Sequence, residues 1–130
     1  LPLDLNLYSD NQAETLVMCS DKLFDKNKVH NCRFIPVKEV NGELDLKDMM
    51  LKIANDGITS ILVESGPKLI ESFNKANLID ELYIYTADME ILNAKLKNPL
   101  NISDWDLKNT RILGSNELQV FKRKEACLQE

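Results

Sequence analysis

The sequence predicts an α/β fold, and a helix–glycine–strand unit is the first observation that predicts it. Five apolar residues between Leu46 and Ala54 follow the spacing of one face of an amphipathic helix. Asp45 is a suitable N-cap for this helix, and Gly57 stands where a left-handed residue ends one. The β-branched and apolar run at residues 59–63 then predicts a strand buried on both faces, as in a parallel sheet.

A second helix–strand unit follows directly. Pro67 suits a first helical turn, where its missing N–H costs nothing, and Asn77 is a suitable helix end. A strand is predicted at residues 82–86. A terminal β-hairpin is predicted from residues 110–113 and 117–122, joined through Gly114. The inner face of the second helix is predicted to comprise Leu69, Ile70, Phe73 and Ala76 or Asn77.

The first third of the chain has shorter signals. Apolar residues alternate along residues 1–13, which predicts a short half-buried strand that ends in a turn. Strands are predicted at residues 15–20 and 33–37, and residues 21–31 are predicted to form a loop or short helix. The pair Asn41-Gly42 predicts a tight turn.

Composition limits the possible classes of function. The chain has 130 residues, which is enough for one domain, and 44% of them are hydrophobic. Its net charge of −5 and a basic cluster of only three residues, at 122–124, argue against a nucleic-acid partner. Since no apolar run reaches about 18 residues, no membrane span is predicted.

The cysteines and the one histidine do not predict a metal site. Cys19, Cys32 and Cys127 are odd in number and widely spaced, which argues against a disulfide framework and favours a reducing cytoplasm. His30 and Cys32 are spaced so that both could bind zinc, but a loop position is the favoured interpretation. With one histidine, no Ser-His-Asp triad can be built.

The segment at residues 61–72 carries the predicted chemistry. A strand ends at Glu64, turns through Ser65-Gly66 and leads into the helix at Pro67. Ligands of open α/β sheets collect at the carboxyl ends of strands, and the N–H groups of a helix start favour phosphate. Two structural alternatives are that Ser65 is only a helix cap and that Glu64 is only a capping or solvated carboxylate.

The same segment resembles the reductase domain of the bifunctional deaminase–reductases of riboflavin biosynthesis. Residues 63–69 read VESGPKL, a phenylalanine follows at Phe73, and residues 78–82 read LIDEL. The family has VE-x-G, a glycine-led helix and then LVDEL before the next strand. Its "dG-x-ldL" element is similar to residues 41–46. The similarity covers about residues 40–86 well and the flanking strands loosely.

This resemblance implies a dihydrofolate-reductase-like, three-layer α/β/α domain with a mixed, mostly parallel sheet and a C-terminal β-hairpin. It further implies NADPH-dependent reduction of the ribosyl group of 5-amino-6-(5-phosphoribosylamino)uracil to ribityl, and possible homodimers. The residue matching Glu64 lies at the substrate in that family. The positions implied to bind the cofactor are Gly66, Pro67, Lys68, Leu69, Ile70, Glu71 and Ser72. Asp80 is assigned to structure.

The sequence departs from the family pattern at several places. Ser65 stands where the family often has a second glycine, and residues 87–92 replace its proline and leucine-glycine turn. The family's SLDG, GsgT and DDP-x-L elements are absent from residues 1–130. We therefore expect the chain to be the C-terminal portion of such a domain, without its first strands.

Three functions follow from these observations. The chain is part of a bifunctional deaminase–reductase or of a single reductase; or it is a non-catalytic fragment or interaction module of the same fold; or it belongs to a related NADPH reductase acting on another pterin-like or uracil-like substrate. An in-frame zinc-deaminase segment and an SLDG element in the upstream DNA would favour the first.

Overall fold

The computed structural model describes residues 5–8, 12–24 and 32–124. The chain divides into two compact units, Leu1–Leu62 and Val63–Glu130. Among the described helices, none combines the length and the apolar composition that a membrane span requires.

A pair of parallel strands forms the centre of the first unit. Strand β1 spans Thr15–Ser20 and β2 spans Cys32–Val37. They pair from Thr15 opposite Cys32 to Ser20 opposite Val37. Both predicted strands are confirmed, and the second begins one residue earlier than predicted. Between them, Asp21–Leu23 form one 3₁₀ turn, and residues 25–31 lie outside the described residues.

A small hairpin connects β2 to the first helix. Strands β3 (Glu39–Val40) and β4 (Glu43–Leu44) are antiparallel. Asn41 and Gly42 between them have φ angles of 53° and 82°. Two consecutive positive φ angles are the mark of the two-residue hairpin turn that Asn-Gly favours, which confirms the predicted turn.

Helix α1 spans Leu46–Asn55 and is held to the preceding strands by Asp48. The Asp48 carboxylate accepts the Lys38 backbone N–H at 2.9 Å and pairs with the Lys52 ammonium at 2.9 Å. These two contacts, the N–H first, lower the pKa of Asp48. Ile53 on the inner face of α1 is buried, as are Tyr8 and Val37 in the same unit.

The second unit contains one helix and a three-stranded antiparallel sheet. Helix α2 spans Pro67–Lys75. Strands β5 (Glu81–Thr86), β6 (Trp105–Leu113) and β7 (Asn116–Arg123) are ordered β5–β7–β6. A 3₁₀ turn at Ile102–Asp104 precedes β6. The predicted strand and terminal hairpin are confirmed, and the hairpin is longer than predicted. Buried apolar residues of this unit are Phe73, Ile79, Leu82, Trp105, Leu118 and Phe121.

Residues 59–63, predicted to form a strand buried on both faces, are not a strand in the structure. No described strand forms a hydrogen-bond ladder with them, and Leu62 is 77% exposed. The prediction rested on β propensity, and β propensity produces a strand only where a neighbouring strand supplies hydrogen bonds and cover.

The predicted extended strand at residues 1–13 is also wrong where the structure describes it. Asn6–Tyr8 form a 3₁₀ turn in which the Tyr8 N–H donates to the Leu5 carbonyl at 2.9 Å. This turn buries the Tyr8 side chain, so core packing overrides the alternating pattern. Residues 1–4 and 9–11 lie outside the described residues.

The α/β class and the mixed sheet arrangement are confirmed. Among the described strands, one pairing is parallel and three are antiparallel. The fraction of strand pairings that are parallel is therefore smaller than predicted, because residues 59–63 do not add a parallel strand to β1 and β2.

Candidate functional site at the start of helix α2

The start of α2 lacks the side-chain cap that helices usually have. Gly66 is the N-cap residue, with φ −68° and ψ 166°, and no side chain accepts a hydrogen bond from the first turn. The N–H groups of Leu69 and Ile70 both donate to the Gly66 carbonyl at 3.2 Å. Within the described part of the chain, the Lys68 N–H is left without an acceptor. A helix start of this kind presents a donor and a partial positive charge to an anion.

Ser65 does not serve as a helix cap. Its hydroxyl donates to the Gly66 carbonyl at 3.3 Å and accepts from no helix N–H. The structural alternative of Ser65 as a cap is therefore wrong. Glu64 and Ser65 are both exposed, so both side chains are open to a ligand.

Gly66 differs from the other three glycines of the chain. Gly42, Gly57 and Gly114 have positive φ angles, which explains why glycine stands there. Gly66 has an ordinary negative φ, and no described atom lies within 4 Å of a Cβ built on it. Neither the backbone conformation nor the packing of the described residues requires a glycine here. The free space beside it is available to a ligand.

The predicted cofactor residues differ in exposure and in whether their polar atoms already have partners. Lys68 and Leu69 are exposed, while Pro67, Ile70, Glu71 and Ser72 are half-buried. The Ser72 hydroxyl donates to the Lys68 carbonyl at 3.0 Å, and Glu71 pairs with Lys75 at 2.7 Å. The structure thus brings Gly66, Lys68 and Leu69 together at the surface, whereas the polar atoms of Glu71 and Ser72 already have partners within the helix.

One part of the predicted inner face of α2 is wrong. Leu69 is 45% exposed, whereas Phe73 is buried and Ile70 is half-buried. Leu69 lies in the first turn of this nine-residue helix, one turn before the buried Phe73. The exposure of Leu69 leaves an apolar side chain beside the uncapped helix start.

Arg123 at the far end of α2 was not identified from the sequence. Its guanidinium donates to the Asn74 side-chain oxygen at 2.8 Å and to the Ile79 carbonyl at 3.2 Å, and it lies 4.4 Å from the centre of the Trp105 ring. The sequence showed Arg123 only as one member of a basic cluster, and no local pattern links it to Asn74, 49 residues earlier.

The described residues contain no cluster of metal-binding side chains. His30 and Cys127 lie outside the described residues. Cys19 and Cys32 have free thiols on the paired strands β1 and β2, and burial raises the pKa of the Cys19 thiol.

Sequence comparison identifies the family. Residues 1–90 match the model of the RibD C-terminal domain. The riboflavin biosynthesis protein RibD of Buchnera aphidicola subsp. Baizongia pistaciae (strain Bp) is 43% identical over 67 residues, which make up 48% of this chain and 18% of that protein. The RibD protein of Escherichia coli (strain K12) is 40% identical over 55 residues, 42% of this chain and 15% of that protein. The matched part thus spans less than a fifth of either relative.

Solved structures share the fold. An Acinetobacter baumannii RibD structure superposes with a TM-score of 0.69 at 19% identity and covers 95% of this chain and 35% of its own. A second structure is that of a Thermotoga maritima diaminohydroxyphosphoribosylaminopyrimidine deaminase/5-amino-6-(5-phosphoribosylamino)uracil reductase. It superposes with a TM-score of 0.57 at 14% identity, and the match covers 92% of this chain and 43% of that one. Because the family match extends over residues 1–90 of 130, the chain belongs to the RibD C-terminal domain family.

Proposed function

We propose that this chain is the C-terminal portion of a 5-amino-6-(5-phosphoribosylamino)uracil reductase domain, which uses NADPH to reduce the ribosyl group to ribityl in riboflavin biosynthesis. Family membership supports this assignment. The observation that carries the site is the uncapped start of α2 beside Gly66, a glycine that the described residues do not themselves require.

The residues at this helix start fit a nucleotide phosphate. The Lys68 N–H and the positive end of α2 favour an anion, and the exposed Lys68 ammonium adds a charge. The absence of a Cβ at Gly66 lets a phosphate approach the backbone. NADPH, when bound, supplies the hydride, while the protein holds the reacting groups in position. In this proposal Pro67, Leu69, Ile70, Glu71 and Ser72 line the rest of the cofactor contact.

Glu64 is proposed to bind the substrate. It stands two residues before the N-cap of α2 and its carboxylate is exposed, so it can accept hydrogen bonds from the hydroxyls of a sugar. Glu64→Gln keeps the size of the side chain but removes its charge. We expect it to raise the KM for the uracil substrate about 10-fold, with the KM for NADPH unchanged. Steady-state kinetics with each substrate varied in turn measures both.

We also propose that the chain is one portion of a larger reductase domain. The parallel pair β1–β2 has no third strand among the described residues, and residues 59–63 have the composition of a buried strand without a ladder. Parallel sheets are normally covered on both faces and contain more strands than two. Strands from the rest of the gene product would supply hydrogen-bonding partners for the β1–β2 pair and for residues 59–63.

The decisive experiment compares this 130-residue chain with the complete gene product. NADPH is titrated into each, and turnover of the phosphoribosylaminouracil is measured for the complete protein. NADPH binding with ribityl product formation supports the proposal. Binding without turnover of this substrate would indicate a related reductase. Absence of NADPH binding by both proteins would identify a non-catalytic interaction module.

A homodimer is proposed through one face of the β5–β7–β6 sheet. Tyr83 and Tyr85 on β5 lie on this face and are exposed, Tyr85 by 66%, and Arg111 and Leu113 on β6 share it. Tyrosine and arginine are enriched at protein interfaces. We expect Tyr85→Glu to give monomers in light scattering after gel filtration, while Leu51→Glu, at an exposed apolar position of α1, leaves the dimer intact. A wild-type monomer would contradict this proposal.

The cysteine usage favours a reducing compartment such as the cytoplasm for this enzyme.

A further inference from the structure

We propose that Arg123 is a positioning residue, which fixes the direction of α2 and thereby places the Gly66 end of that helix for cofactor binding. The inference rests on the proposed function of the helix start. It concerns the opposite end of the same helix, where Arg123 contacts neither the proposed cofactor residues nor Glu64.

Arg123 connects the last strand to the end of α2 by several independent contacts. Its backbone N–H donates to the Asp80 carbonyl at 3.2 Å. Its Nε donates to the Ile79 carbonyl at 3.2 Å, and its Nη2 donates to Oδ1 of Asn74, one residue before the end of α2, at 2.8 Å. One side chain therefore holds both the last turn of the helix and the loop that follows it.

The side chain of Arg123 lies beside buried residues. The guanidinium lies over the ring of Trp105, which is 4% exposed, and such a stacked pair is itself attractive. Phe73 and Ile79 on either side of the helix end are buried. The Leu78 N–H donates to the Phe73 carbonyl at 3.0 Å and closes the helix end. The far end of α2 is thus hydrogen-bonded and packed on buried residues, whereas its start has no side-chain cap.

The direction of α2 at the Arg123 contact determines where the start of the helix lies. The nine residues of α2 span about 13 Å at about 1.5 Å per residue. A tilt of about 10° at the anchored end would move the helix start by about 2 Å. A hydrogen bond weakens steeply when its donor and acceptor move out of range, so a shift of about 2 Å is enough to break the contacts that the helix start would make to a phosphate. The contact that sets the tilt is therefore expected to set cofactor affinity.

The chemistry of the contact requires an arginine. The planar guanidinium donates to two acceptors in different directions and stacks on an aromatic ring at the same time. A lysine keeps the positive charge but offers neither the fork nor the flat face. Arg123→Lys therefore separates the geometry of the contact from its charge.

The test uses the complete gene product with Arg123→Lys, Asn74→Ala and a neighbouring control, Lys122→Gln. Lys122 is exposed, and among the described residues its ammonium forms an ion pair with Glu81 on the surface. For Arg123→Lys we expect the KM for NADPH to rise about 10-fold with kcat within about 2-fold of wild type. Asn74→Ala, which removes one of the acceptors, is expected to raise this KM about 3-fold. Lys122→Gln should leave both constants unchanged.

A merely structural role gives a different pattern. In that case Arg123→Lys lowers the thermal midpoint and the active fraction, and so the apparent kcat, while the KM for NADPH stays at the wild-type value; this outcome overturns the inference. Should Arg123→Lys fail to fold, an unchanged KM in Asn74→Ala overturns it instead. If Gly66→Val raises the KM and neither anchor variant does, the proposed site stands and the positioning role falls. If wild type itself binds no NADPH, both fall together.

Discussion

Helices α1 and α2 end alike and begin differently. At the end of α1, Gly57 has φ 86° and the Ile58 N–H donates to the Ile53 carbonyl at 3.3 Å. At the end of α2, Asn77 has φ 61° and the Leu78 N–H donates to the Phe73 carbonyl. At the other end, the Asp45 carboxylate accepts from the N–H groups of Lys47 and Asp48, while α2 begins at Gly66 with no such acceptor.

The side-chain cap distinguishes the start of α1, which has a structural role, from the start of α2, which is suited to a ligand. A capped start has its donors satisfied by the protein itself, so α1 gains stability and offers nothing to an anion. An uncapped start forgoes that stability and keeps a donor available.

Transferring the cap of α1 to α2 should have the largest effect. In Gly66→Asp the new carboxylate would accept the first-turn N–H groups and repel a phosphate. We expect the affinity of the complete protein for NADPH to fall about 100-fold, while the free energy of unfolding rises by a few tenths of a kcal/mol. Cofactor titration and urea unfolding measure the two quantities.

Gly66→Asn is the matched control, since it supplies a similar cap without the charge. It should lower NADPH affinity less than Gly66→Asp does. Undiminished affinity in Gly66→Asp would rule out a phosphate site at the start of α2.

Removing the cap of α1 should affect stability alone. Asp45→Ala leaves the N–H groups of Lys47 and Asp48 without their acceptor, which costs about 1 kcal/mol of unfolding free energy. The urea midpoint should fall while the KM for NADPH stays at the wild-type value. A changed KM would show that α1 takes part in cofactor binding.

Single substitutions at the ends of the two helices should change the free energy of unfolding in opposite directions. Gly57→Ala places a Cβ on a left-handed residue and should cost about 1 kcal/mol. Asn77→Gly removes the Cβ from a residue in the same left-handed conformation and should raise the free energy of unfolding by a few tenths of a kcal/mol. Thermal unfolding of both variants gives the comparison, and a destabilised Asn77→Gly would show that the Asn77 side chain has a further role.

The smallest expected effect concerns Asp48 and depends on pH. Its pKa is lowered by the Lys38 N–H and by Lys52, so its ionised form stabilises the fold above the unfolded pKa of about 3.9. That contribution disappears as the pH falls through the lowered pKa. Asp48→Asn should therefore be less stable than wild type at pH 7, and the two should converge in acid. Urea unfolding between pH 7 and pH 2 tests this, and a constant difference would contradict it.

Local chemistry explains how much of the fold was predictable. The Asp45 cap, the Asn41-Gly42 turn, the left-handed Gly57 and the helix end at Asn77 depend on neighbouring residues, and each was predicted correctly. The left-handed conformation of Asn77 itself is a finding of the structure. Residues 59–63 were not, because a strand depends on partners that a local pattern does not contain. The 3₁₀ turn at Asn6–Tyr8 likewise reflects the burial of Tyr8, which alternation alone does not show.

The residues of the candidate site stay a prediction, and only their positions in the structure can be compared with the sequence. The family resemblance supplied Glu64 and the start of α2, and local chemistry supplied the donor at the helix start. The sequence did not show that the donor is uncapped, since this depends on the residue at which the helix begins: the N-cap position falls on Gly66, which has no side chain, and not on Ser65. Nor did it show Arg123, whose contacts with Asn74 and Trp105 are set by how the hairpin packs on the helix end.

The stacking of Arg123 on Trp105 has a spectroscopic consequence. Trp105 is the single tryptophan of this chain and is almost fully buried, and its indole N–H has no hydrogen-bond partner among the described residues. An indole shielded from water in this way emits at a shorter wavelength than an exposed one, and water entering around it shifts the emission to the red. The fluorescence of the 130-residue chain is therefore an internal reporter for the region where the helix end meets the sheet.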